Sequence, residues 1–298
     1  MRLAALGLLL CALVAGVVLA PSPGVSRGGN GESILFWSDN PQPSLWAMRP
    51  DGSGRHAIFR TPQNAKRPTL SPDGKWIAFD GAPPGKPPLS DFDIQLVRVD
   101  GTRRTTIVRS PATELDAQWS PDGQELSFSR WPRTADWRSS SIWIVRRDGS
   151  DLRKLSSGQF ARWSPDGAQL ALDAPTTGSD GDIFVLNRSG GERRRLLATP
   201  QLEQPAAWSP DGKRILFTRF YLAGGSDVFV IDVDGSRVRR LTRAPGEDTA
   251  AAWSPDGSKI VFTSERTGHP QVFVMNADGS NQRNISRTRS NDFATDWH

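Results

Sequence analysis

The sequence predicts an all-β fold, a six-bladed β-propeller of four-stranded antiparallel blades, and three observations predict it. A turn motif recurs at near-constant spacing, a hairpin motif recurs in step with it, and the two ends of the chain carry complementary parts of one repeat.

The turn motif reads "LSPDGKWIAFDG" from Leu70, "WSPDGQELSFSR" from Trp119, "WSPDGAQLALDA" from Trp163, "WSPDGKRILFTR" from Trp208 and "WSPDGSKIVFTS" from Trp253. Its aspartates, Asp73, Asp122, Asp166, Asp211 and Asp256, stand 49, 44, 45 and 45 residues apart. That period belongs to a supersecondary unit rather than a domain. Pro fixes φ and Asp-Gly supplies the turn between two strands, while the preceding Trp offers a large apolar ring for the space between blades. Leu70 stands where the other copies have Trp, which fits packing better than chemistry. Each turn holds one carboxylate, whereas calcium takes six to eight oxygens, so the motif reads as structural.

The hairpin motif reads "SLWAMRPDGSG" from Ser44, "DIQLVRVDGTR" from Asp93, "SIWIVRRDGSD" from Ser141, "DIFVLNRSGGE" from Asp182, "DVFVIDVDGSR" from Asp227 and "QVFVMNADGSN" from Gln271. An alternating run of β-branched and aromatic residues closed by Asp-Gly or Ser-Gly is a strong hairpin signal, because two-residue primed turns need positive φ. A basic strand follows each turn. One unit thus contains four strands, and counting the second strands at Ile34, Ile77, Leu126, Leu170, Ile215 and Ile260 gives six blades.

The ends fit together. Trp297 lies 44 residues after Trp253, so "NDFATDWH" is a first strand without its hairpin, and "GNGESILFW" aligns with "PDGSKIVFT" as a hairpin without its first strand. The C-terminal strand is expected to join the N-terminal blade and close the ring, which protects two strand edges. From Asn30 to His298 is 269 residues, about 45 for each of six blades.

Residues 1–20 read as a signal peptide, with one basic residue, an apolar run from Leu3 to Ala20 and a small-residue site at Val18-Leu19-Ala20. A signal anchor is the alternative, because the run of about 18 residues reaches the lower limit for spanning a bilayer. Cys11 follows Leu10, which argues against a lipoprotein site. Residues 21–29 are a linker and 30–298 the propeller. The expected location is periplasmic or secreted, with a membrane partner only if the leader stays on. Without the leader the chain has no cysteine, so neither disulfides nor thiolate metal sites stabilise it.

Function is sought on the face where loops vary. The Ser-Pro-Asp-Gly and Asp-Gly-Ser turns share one uniform face, and the opposite face carries the second-to-third strand loops and the links entering each first strand. Five residues before each Trp, or before Leu70, stand Ala65, Glu114, Gly158, Glu203, Asp248 and Asp292. Four are acidic, so Glu114, Glu203, Asp248 and Asp292 are candidates for binding a cation or a basic partner segment, or else for capping neighbouring loops. Trp131, Trp137, Phe220 and Tyr221 lie in the longest loops, as partner or sugar contacts or as loop packing.

No cofactor, metal or catalytic residue is expected. There is no Gly-x-Ser-x-Gly elbow or His-Glu-x-x-His pair, and His56, His269 and His298 fall in separate contexts. The net charge of +5 is a mild excess. Arg103-Arg104, Arg153-Lys154, Arg193-Arg194-Arg195 and Arg239-Arg240 fall in outermost strands, where charge blocks edge pairing, so no nucleic-acid groove is expected.

The paired motifs "WSPDGxxIxF" and "xIFVxxxDGS" resemble TolB-type propeller repeats, a family related to the propellers of prolyl oligopeptidases and tricorn-like proteases. The resemblance covers the propeller part of TolB proteins; their α/β domain and the hydrolase domain of the peptidases find no counterpart in these residues. It implies a monomeric, exported, non-catalytic binding module with an envelope or extracellular protein partner. The alternative is a metal-dependent lyase or hydrolase, or a sugar-binding propeller, using the acidic mouth.

Overall fold

The fold is that of a computed structural model, which describes residues 32–39, 44–60, 65–82, 92–133, 136–177 and 179–297. The expected leader, the linker and most of the loop between Asp80 and Asp93 lie outside the described residues.

The described chain is a series of short strands in six groups of four. Unit 1 is β24 (Asp292–Trp297), β1 (Ile34–Ser38), β2 (Ser44–Met48) and β3 (His56–Arg60). Unit 2 is β4 (Ala65–Leu70), β5 (Trp76–Gly81), β6 (Asp93–Arg98) and β7 (Thr105–Val108). Unit 3 is β8 (Thr113–Trp119), β9 (Glu125–Trp131), β10 (Ser141–Arg146) and β11 (Arg153–Ser157). Unit 4 is β12 (Gln159–Trp163), β13 (Gln169–Thr176), β14 (Ser179–Asn187) and β15 (Arg194–Arg195). Unit 5 is β16 (Leu202–Trp208), β17 (Arg214–Phe220), β18 (Ser226–Asp232) and β19 (Arg239–Arg240), and unit 6 is β20 (Asp248–Trp253), β21 (Lys259–Ser264), β22 (Gln271–Asn276) and β23 (Arg283–Asn284). One 3-10 turn, Trp137–Ser139, interrupts the pattern. Among the described residues no helix is long and apolar enough to cross a membrane.

Hydrogen bonding does not leave six separate sheets. It gives four separate four-stranded blades and one eight-stranded sheet, in which units 4 and 5 are joined by a single parallel bridge between Gly181 and Leu202. Gly181 sits at this bridge, where a Cβ would lie 2.5 Å from Leu202 Cδ1, so a larger residue there would have to displace the leucine side chain. The ring closes as the sequence predicts. β24 pairs antiparallel with β1, placing Ile34 opposite Trp297 and Ser38 opposite Asp292.

The repeated turn explains its own composition. The Ser209 hydroxyl donates to Asp211 Oδ1 at 2.5 Å and accepts the Arg214 N–H at 2.9 Å, while the Lys213 N–H reaches Asp211 Oδ1 at 3.1 Å. The same Ser-Asp pairing forms in the other four copies. Gly212 takes φ +69°, which the turn requires. The Trp before the turn packs between units and also bonds: Trp119 donates to Thr69 O, Trp163 to Gln118 O and Trp208 to Arg162 O, each in the preceding unit.

The core is divided among the junctions. Six apolar clusters each join two successive units, from Leu35, Leu45, Leu70 and Phe79 between units 1 and 2 to Ile34, Phe36, Val261 and Trp297 between units 6 and 1. With about 25 cal/mol for each Å² of apolar surface buried, this inter-unit packing is the main source of stability in a fold without disulfides.

Candidate binding face

The inner strands enter from the loop face, and the four acidic candidates open them. Each side chain is buried and each meets an arginine. Arg130 Nε lies 3.0 Å from Glu114 Oε1, Arg219 Nε 2.9 Å from Glu203 Oε1, Arg266 Nη2 3.0 Å from Asp248 Oδ2 and Arg55 Nη1 2.7 Å from Asp292 Oδ2. Hydroxyls complete three of the sites, from Ser110 to Glu114 at 2.5 Å, from Thr199 to Glu203 and from Thr288 to Asp292 at 2.6 Å. The acids therefore neither cap backbone N–H groups nor stand as free carboxylates.

Register produces two of these pairs directly, since Glu114 is opposite Arg130 and Glu203 opposite Arg219 in adjacent strands. An aromatic ring of the third strand backs each guanidinium: Arg130 lies 4.0 Å from the Trp143 ring, Arg219 4.5 Å from Phe229, Arg266 4.8 Å from Phe273 and Arg55 4.9 Å from Trp46. Units 2 and 4 have Ala65 and Gly158 in place of the acid. There Arg104 bonds Gln95 and Arg193 lies over Phe184, and neither meets a first-strand carboxylate. Burial pushes the Glu203 and Asp248 carboxyls above their ordinary range, and the facing arginines pull them back in part.

The aromatic candidates do not form one cluster. Trp131 ends strand β9 and Trp137 opens the 3-10 turn of the loop that follows, both half-buried, with Trp131 edge-on to Phe160 at 6.4 Å and Trp137 beneath Arg138 at 5.1 Å. Asp136 caps the 3-10 turn by accepting the Arg138 N–H at 3.0 Å. Phe220 is buried, and Tyr221 is half-buried near Arg240, its hydroxyl pushed up to about 12 by burial and by Asp227. Among the described residues no ring contact joins the two pairs. The most exposed large hydrophobic residue among those described lies in these loops and is one the sequence reading passes over, Leu222, at 80 % exposure. Its signal was its place in "FYLAGG", a large apolar residue leading into two glycines.

Below the mouth runs a second buried polar layer that the motifs do not announce. Arg162, fully buried, bonds Asp116 at 2.6 Å and the Ala206 carbonyl at 3.1 Å, and Arg67 bonds Asp80 at 2.6 Å. Arg67, Asp116, Phe160 and Ala250 take positive φ at equivalent bulges, conformations that cost about 1 kcal/mol or more each. In three units the equivalent residue near the end of the second strand tethers the next bulge: Asp80 accepts the Asp116 N–H, Ser129 the Phe160 N–H and Thr263 the Ala294 N–H. Pro205 has no N–H to give Asp173, which takes Gln159 instead at 3.0 Å. Burial raises Asp80 to about 6 and Asp173 well above its ordinary value. Among the described residues no group of three or more His, Cys, Asp or Glu is arranged to hold a metal ion.

Comparison with known families is decisive for the fold. The model of the TolB beta propeller domain matches residues 83–220 and 219–298. The chain belongs to this family. TolB from Acinetobacter baumannii superposes with TM-score 0.73 at 18% identity over 90% of this chain, which spans 66% of that one. The putative TolB from Agrobacterium tumefaciens gives TM-score 0.67 at 21% identity, covering 90% of this chain and 98% of that one. An oligogalacturonate lyase in complex with manganese shares the fold more loosely, with TM-score 0.58, 14% identity and coverage of 93% and 79%. A search of curated proteins returns no match.

Proposed function

We propose that this TolB-family propeller is exported and acts as a non-catalytic binding module of the cell envelope, docking a protein partner on its loop face. One observation carries the reading: each of the four acidic candidates is engaged by an arginine of its own unit, so these positions brace the loop face rather than offer free carboxylates for chemistry. The contact residues are Trp131, Trp137 and Tyr221 with Leu222 at the loop tip. Glu114, Glu203, Asp248 and Asp292 act by holding Arg130, Arg219, Arg266 and Arg55 in place, and Phe220 anchors its loop from beneath. Rigid aromatic and aliphatic anchors of this kind dominate protein interfaces.

The shared fold with a manganese-bound lyase keeps a second reading, a metal-dependent lyase of acidic sugars. One experiment separates them. The wild-type propeller and a Trp137→Ser/Leu222→Ser variant are each used to capture partners from envelope extract, and both are assayed with oligogalacturonate and Mn²⁺. The docking reading expects a discrete protein captured by the wild type and lost by the variant, with an unchanged thermal transition and no turnover. Capture that survives both substitutions refutes the docking face, and metal-dependent turnover favours the lyase.

A further inference from the structure

The six units meet at six junctions, and five of them share fastenings that the remaining one lacks. The first fastening is the Trp indole, which donates to the preceding unit at the junctions 2 to 3, 3 to 4 and 4 to 5. The second is the tether to the next bulge, at 2 to 3, 3 to 4 and 6 to 1. The third is the hairpin glycine, whose Cα face lies against a fourth-strand carbonyl of the preceding unit. Gly149 sits against Ile107, Gly190 against Leu155, Gly235 against Leu196, Gly279 against Leu241 and Gly52 against Ile285. The fourth is an arginine of the fourth strand that donates to the next hairpin turn: Arg194 to Val233 O, Arg239 to Asp278 O and Arg283 to Pro50 O. Every junction from 2 to 3 onward has at least two of these.

The junction from unit 1 to unit 2 has none. Leu70 replaces the Trp, and its side chain has no N–H to donate. Trp37 stands at the tether position, where an indole cannot accept a hydrogen bond. Gly101, the hairpin glycine of unit 2, would meet nothing within 4 Å if it carried a Cβ. His56 occupies the place of the latching arginine, and its ring nitrogen turns back to the Gly54 carbonyl. Among the described residues the two units are joined by apolar contact through Leu35, Leu45, Ala47, Ala65, Leu70 and Phe79.

We infer that the ring has one built-in opening, the junction between units 1 and 2, and that unit 1 moves there as a single leaf carrying the C-terminal strand. The chain ends are not the weak point. β24 is held to unit 1 by its ladder with β1, by Arg55 to Asp292, by Asn291 to Asp39 at 2.8 Å and by Trp297 to Glu32 at 2.9 Å. Unit 1 is in turn tethered to unit 6 through Thr263, Gly52 and Arg283. The leaf hinges at its unit 6 side and parts at its unit 2 side, which opens the ring without breaking a strand ladder. Apolar contact is non-directional and re-forms on closing, whereas the polar fastenings of the other junctions fix one geometry.

Thiol labelling tests the opening. In a Cys11→Ser background the chain is free of cysteine, and three alanines buried at different junctions become probes: Ala47→Cys at 1 to 2, Ala171→Cys at 4 to 5 and Ala252→Cys at 6 to 1. The expected result under native conditions is labelling of Ala47→Cys about tenfold faster than the other two, at similar thermal stability, because local opening exposes it without global unfolding. Adding Leu70→Trp should slow Ala47→Cys and leave Ala171→Cys unchanged. If all three probes label at one rate, the junction does not open selectively and the inference falls; that ranking needs no tryptophan variant to fold.

Discussion

The two faces of the ring satisfy their carboxylates in opposite ways. On the turn face the aspartate of each Ser-Pro-Asp-Gly turn is served within its own turn, by a serine hydroxyl two residues back and a backbone N–H two residues ahead, Asp122 gaining Arg188 as well, and it stays in contact with water. On the loop face Glu114, Glu203, Asp248 and Asp292 are buried and each is served by an arginine brought from another strand or loop. Local pairing makes the turn face a set of interchangeable parts. Tertiary pairing makes the loop face a property of the assembled unit, so damage there should spread further.

The largest expected effect is on the loop face. Glu203→Ala removes a fully buried carboxylate and strands Arg219 against the Phe229 ring, and breaking a buried pair from one side costs about 3 kcal/mol or more. Removing both charges leaves no unpaired ion, so Glu203→Ala/Arg219→Leu should recover a good part of the loss. Urea denaturation of the two variants checks this, and a double variant less stable than the single one would show that the pair is not the unit of stability.

How much of this contrast the sequence discloses follows from its range. The Ser-Pro-Asp-Gly turn closes within six residues, so its structural role was legible from composition alone. The closing strand was legible too, because "NDFATDWH" and "GNGESILFW" are complementary parts of one repeat. The acids were found but not their partners. Arg130 and Arg219 end the second strands "ELSFSR" and "KRILFTR", visible once the register with the first strand is drawn. Arg55 was not legible, because it reaches Asp292 across the closed unit, 237 residues away in sequence. Nor was the parallel bridge between Gly181 and Leu202, which joins two units in one sheet. Two of the arginines expected to guard strand edges, Arg194 and Arg239, also latch to the neighbouring turn, as does Arg283.

A smaller effect is expected on the turn face. Asp211→Ala removes the acceptor of the Ser209 hydroxyl and the Lys213 N–H, a loss of about 1 kcal/mol. The Ser209 hydroxyl bond holds the Asp211 carboxyl below its ordinary value, so its contribution is present above the usual carboxylate range and fades as pH falls through the folded value. The difference between wild type and Asp211→Ala should therefore shrink in acid. A difference that persists below pH 3 would assign the loss to packing.

The smallest effect runs the other way with pH and sharpens the comparison most. Burial holds the Asp173 carboxyl well above its ordinary value. Gln159 bonds one oxygen, Arg162 attracts and Asp116 repels, and Pro205 withholds the N–H that equivalent residues receive. A folded value above the unfolded one means that the native state holds a proton the unfolded chain releases. The stability this brings is complete below about pH 4 and is lost as pH rises through the folded value. Asp173→Asn keeps an acceptor for Gln159 and carries no charge at any pH. The substitution should leave thermal stability nearly unchanged at pH 4 and raise it at pH 8, opposite in sign to Asp211→Ala. Thermal transitions measured across that range on both variants decide the matter. If Asp173→Asn destabilises the fold equally at pH 4 and pH 8, the carboxylate is fully satisfied by its neighbours, and the inner layer differs from the turn face only in depth.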